Sequence, residues 1–132
     1  LDPAFSSNPK LERLGLDFLA EFLERARVRQ PRNAEVLAEL GATYTKLGRF
    51  RDGLEVDREL VALSPDNATA HYNLACSLAL CDEVAGALDA LEEAVRLGYD
   101  DPQHLVDDED LSALRAEPRF DELVKRLRGA TD

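Results

Sequence analysis

The segment Gln30-Pro31-Arg32-Asn33-Ala34 returns 34 residues later as Ser64-Pro65-Asp66-Asn67-Ala68. Pro31 and Pro65, Asn33 and Asn67, Leu40 and Leu74, and Leu54 and Leu88 all keep that 34-residue interval. The next step of the period falls on Tyr99, just after Leu97-Gly98. A repeat of this length constrains the fold more than composition does. One short unit cannot bury its apolar face alone, so successive units must stack and share a core.

Each unit reads as two antiparallel helices. Asn33 suits an N-cap, because its side chain can accept from the free amides of the first turn. It opens a helix over 34–47 in which Val36, Leu37, Leu40 and Tyr44 share one face. Gly48 can take the left-handed conformation that stops a helix. A second helix over 50–63 carries Leu54, Leu60, Val61 and Leu63, and Ser64-Pro65 ends it because proline disfavours a helical residue before it. The second unit repeats the plan with helices over 68–80 and 84–97, closed by Gly98. Nothing alternates polar and apolar as a strand would.

The run Leu37-x-x-Leu40-Gly41-x-x-Tyr44, followed by Leu47-Gly48-x-Phe50 and by Pro65, resembles a tetratricopeptide repeat. The second unit is more divergent, with Leu74-Ala75 and Leu78 at the matching places. Its Ala87 and Ala94 keep the small residues that let paired helices approach, where the first unit has Gly53 and Leu60. The resemblance implies an all-α fold, a right-handed α-α superhelix of helical hairpins with helical caps at both ends. Residues 1–132 then form a single helical-repeat domain. It comprises an N-terminal capping helix or remnant half-repeat (11–30), repeats at 33–66 and 67–99, and C-terminal capping helices (100–128).

The ends depart from the period. In the first helical pattern Leu11, Leu14, Leu16, Phe18, Leu19, Phe22, Leu23 and Ala26 span an arc of roughly 200°, about twice what a capping helix needs. One flank can pack on the 34–47 helix. The other needs a partner: an upstream part of the protein, a second copy, or residues 1–9 folded back over it. Leu11, Leu14, Phe18 and Phe22 are therefore the candidate self-association face, for a homodimer through the N-terminal helix. After Gly98 a turn at 99–102 leads to a helical turn at 104–107 and helices over 110–116 and 118–127. Leu111, Leu114, Phe120, Leu123, Val124 and Leu127 face inward. This run resembles the tail that closes tetratricopeptide arrays with a polar outer face.

The net charge is −11 and the pI near 4.6, a balance opposite to that of a nucleic-acid binder and unfavourable to an anionic membrane surface. No apolar run approaches the roughly 18 residues of a membrane span, and the first ten residues lack the pattern of a secretory signal. A chain that opens on Leu1 reads as trimmed, processed or cut from a longer one. Positive charge gathers at Arg25, Arg27, Arg29 and Arg32, near a helix C-terminus that favours it. Cys76 and Cys81 lie about 140° apart on one helix and cannot bridge, which points to a reducing compartment and a cytoplasmic location.

No arrangement of residues marks catalysis. His71 and His104 have no adjacent Ser or Cys nucleophile, and no glycine-rich phosphate loop is present. Asp107-Asp108-Glu109-Asp110 lacks the alternating ligands and central glycine of a calcium loop, and reads as N-caps in a solvated acidic turn. No enzyme activity, metal or cofactor is expected. The partner class implied by the resemblance is a protein, a peptide or helix held in the concave groove lined by the first helix of each pair; the alternative is a structural role, self-association or capping of a longer repeat array, without a separate ligand. Its exposed, groove-directed positions here are Glu35, Ala38, Ala42, Thr45 and Lys46, then Thr69, Tyr72, Asn73, Cys76 and Ala79, with Tyr72 either the aromatic anchor or packed on a neighbouring helix. Repeats of this kind that hold the carboxylate tails of heat-shock chaperones use Lys, Asn and Arg. This chain offers Asn73 beside Glu39, Ala42 and Thr69, so no binding of such tails is expected.

Overall fold

The computed structural model describes residues 8–131. Every regular element among them is helical: α1 (Pro9–Arg29), α2 (Ala34–Lys46), α3 (Phe50–Leu63), α4 (Ala68–Leu80), α5 (Val84–Arg96), α6 (Pro102–Asp107), a 3-10 segment (Glu109–Leu114) and α7 (Pro118–Thr131). The expected helix over 110–116 is a 3-10 turn, and the last helix runs beyond residue 127.

Local chemistry sets the boundaries. Asn8, Asn33 and Asn67 each cap a helix, their side-chain oxygens accepting first-turn amides. Gly48 ends α2 with φ +76°, and the Arg49 amide closes the turn on the Tyr44 carbonyl. The matching turn of the second unit holds Asp82 at φ +59° instead, a residue type that tolerates this region better than most.

Two adjoining cores run along the stack. One joins Ala20 and Leu23 of α1 to Leu37, Leu40, Tyr44, Val56 and Leu60. The other joins α4 and α5 to the C-terminal elements through Leu78, Leu88, Leu91, Leu105, Leu111, Leu114, Phe120 and Leu123. Side chains stitch the stack together. The Tyr44 hydroxyl donates to Glu24, and the Arg27 guanidinium grips Glu59 at 2.6 and 3.1 Å, tying α1 to α3. Part of the expected basic patch is thereby neutralised.

The wide apolar arc of α1 divides as its two flanks require. Ala20 and Leu23 are buried on one side, while Leu14, Phe18 and Phe22 are 62%, 74% and 63% exposed. Leu11 is half-buried. A fold-back of residues 1–9 bears mainly on residues 1–7, which lie outside the described residues; Asn8 and Pro9 open α1 itself.

Candidate functional site

Gly41, Ala42, Thr45 and Lys46 on α2 and Tyr72, Asn73, Cys76 and Ser77 on α4 line a cavity of about 340 Å³. Asp57 of α3 joins them, and His104, Asp108 and Asp110 close its far side. Six of the expected groove residues meet there: Ala42, Thr45, Lys46, Tyr72, Asn73 and Cys76. Glu35, Ala38, Thr69 and Ala79 do not line it. Glu35 and Thr69 are exposed near the helix starts, and Ala38 is half-buried.

Three groove positions differ from expectation. Tyr72, Cys76 and Ala79 are buried, at 6%, 8% and 2% exposure, and Asp108 of the C-terminal cap meets both Tyr72 and Cys76. The Tyr72 hydroxyl donates to Asp108 Oδ2 at 2.6 Å, and its ring stacks on Tyr99 with centroids 4.7 Å apart. Tyr72 therefore anchors the cap. Burial, then the hydrogen bond to Asp108, raises its phenol far above the ordinary value. Cys76 Sγ lies 3.8 Å from the same Asp108 oxygen, and burial followed by the charge of Asp108 holds its thiol protonated.

The acidic run is only partly the solvated turn expected. Asp108 is half-buried: Oδ1 caps the 3-10 segment at the Asp110 amide, and Oδ2 accepts the hydrogen bond of the Tyr72 hydroxyl. Asp110 is also half-buried, and burial and then Asp108 raise its pKa. Cys76, Asp108 and Asp110 offer ligand atoms within 4.8 Å of one another, a set that can meet a metal ion geometrically. The chemistry is less favourable, since Asp108 is already committed on both oxygens and Cys76 favours its neutral form.

Sequence reasoning missed Asp57. It is 4% exposed, Ser77 Oγ donates to its Oδ2 at 2.5 Å, and burial pushes its carboxyl up to about 6, partly offset by that bond. The signal was available in the period: Leu23, Asp57 and Leu91 occupy one repeat position, and both leucines are buried. An aspartate stands where the flanking units place core leucine.

This assembly of hairpins, groove and terminal cap is a tetratricopeptide-type helical superhelix. It superposes on the crystal structure of MamA, a tetratricopeptide-type protein, with a TM-score of 0.72 over 92% of this chain and 70% of that one, at 24% identity. A second MamA structure gives 0.67 over 89% of this chain and 70% of that one, at 20% identity. In sequence, the chain is 34% identical over 90 residues to a chloroplastic protein of Arabidopsis thaliana. The match takes in 66% of this chain but spans only 27% of that protein. No family model matches the chain. Among the described residues no helix is long and apolar enough to cross a membrane.

Proposed function

We propose that the chain is a non-catalytic interaction module that holds a segment of a protein partner along α2 and α4. The observation that carries this reading is the cavity formed jointly by those two first helices, with exposed Ala42 and Lys46 beside it. Burial of Tyr72 moves the contact surface toward α2 and away from the aromatic anchor. The unpaired thiols support a reducing compartment such as the cytoplasm. The test compares proteins captured by wild type, by Ala42→Arg, and by Ala62→Arg on the exposed side of α3. A protein lost only with Ala42→Arg supports the groove. Equal capture by all three overturns it.

A second reading, self-association, is favoured by α1. Leu19 and Phe22 occupy the repeat positions of Gly53 and Ala87, and of Val56 and Ala90. Those four residues are buried, whereas Leu19 and Phe22 are 39% and 63% exposed. The larger side chains suit a partner at wider spacing than a repeat's own first helix, such as α1 of a second copy. Light scattering across a concentration series should show a dimer that Phe18→Glu reduces to monomer. A wild-type monomer at every concentration rejects this reading.

A further inference from the structure

We infer that the cavity between α2, α4 and the C-terminal cap receives a basic side chain, lysine or arginine, projecting from the partner segment. The inference rests on the groove reading above and names what that groove selects. Its first support is Asp57. A carboxylate in place of a core leucine costs stability, and this one keeps that position without a counter-charge. Among the described residues its hydrogen bond is to Ser77 alone, on Oδ2, and it has no ion pair. Asp57 lines the cavity, and its Oδ1 faces Gly41, where a side-chain carbon would come within 2.5 Å of it. The missing side chain at Gly41 leaves that oxygen room.

The second support is the charge distribution. Many acidic groups at the surface of this chain have arginine partners, as exposed Glu59 and Asp89 and half-buried Asp52 and Glu93 do. Half-buried Asp110, across the cavity, has no basic partner among the described residues; the Asp108 carboxylate has only His104 at 3.7 Å, while Arg115 reaches the Asp108 main-chain oxygen at 3.4 Å. Lys46 stands exposed at the rim, too solvated to neutralise the floor. A guanidinium or ammonium reaching the floor would supply hydrogen-bond donors and charge where both are short. The cavity, about 340 Å³, is at the small end of ligand pockets, a size for one side chain rather than a folded surface.

The test uses the whole protein, nitrogen-15 labelled, titrated with capped Gly-Ala-X-Ala-Gly amides in which X is arginine, lysine, glutamine or glutamate. The expected result is movement of the Gly41, Asp57 and Ser77 amide signals with the arginine or lysine peptide, and none with the other two. Asp57→Asn should weaken that binding about 10-fold or more. Asp110→Asn, at a less buried position, should weaken it by a smaller factor, and Lys46→Gln should strengthen it. Equal shifts from all four peptides along Ala38, Ala42 and Asn73 overturn the charge preference while leaving the groove. No shift from any peptide, together with equal capture of partners by wild type and Ala42→Arg, overturns both. Shifts at Cys76 and Asp108 produced by zinc chloride and by no peptide overturn the basic ligand and assign the cavity to a metal ion.

Discussion

Asp57 carries an energetic penalty that can be measured. Its folded pKa, about 6, exceeds the ordinary 3.8, so the folded state binds this proton more tightly than the unfolded chain does. Its contribution is fully favourable below about pH 4 and is lost as pH rises through about 6, up to roughly 3 kcal/mol in all. Asp57→Asn should remove that loss. In urea melts at pH 4 and pH 7 the variant should gain on wild type at the higher pH, and an unchanged difference between the two pH values would contradict the assignment. Two glycines give an opposed pair. Gly41→Ala drives a carbon into Asp57 and should cost about 1–3 kcal/mol. At Gly53 the nearest atoms to an added carbon are 3.5 Å away, so Gly53→Ala should gain about 0.5–1 kcal/mol by restricting the unfolded chain. Asp57 is not legible in the sequence from apolar periodicity. A polar residue at a core position adds nothing to an apolar pattern and stands out only against the matching positions of the other units.

Most of the elements were legible, because their signals are local. The asparagine caps, the stopping glycine and the prolines act within a few residues, and the hairpin helices start and end close to where those signals place them. Asn33 accepts from two amides and Asn67 from one. Asn33→Ala should cost about 1 kcal/mol by chemical denaturation, and Asn67→Ala no more than that. The C-terminal cap was legible in its apolar residues and illegible in its placement. Leu111, Leu114 and Phe120 announced an inward face, but nothing local said that it would lie over Tyr72 and Cys76. That is a contact across 36 residues, fixed by the fit of Tyr72 to Tyr99 and Asp108. Tyr72→Phe keeps the stacking and removes a donor from a half-buried carboxylate. It should lower stability by about 1–2 kcal/mol, and loss of the protected Asp110 amide signal in hydrogen exchange would locate the damage.

At the scale of the molecule, net charge and exposed apolar surface make different demands. A chain of charge −11 draws a basic segment from a distance, and salt screens that attraction. Raising sodium chloride from about 0.05 to about 0.5 M should weaken arginine-peptide binding several-fold. Association through Leu14, Phe18 and Phe22 should hold steady or tighten under the same change, which separates the two surfaces in one titration.

The C-terminal cap also gives the molecule a direction. Among the described residues its tail covers one end of the stack, while α1 exposes Leu14, Phe18 and Phe22 at the other. Joining two molecules by like faces covers both exposed faces and leaves a capped end on each side. A pair joined through α1 in the proposed way would stop at two, whereas a solenoid with like ends exposed could add units without limit.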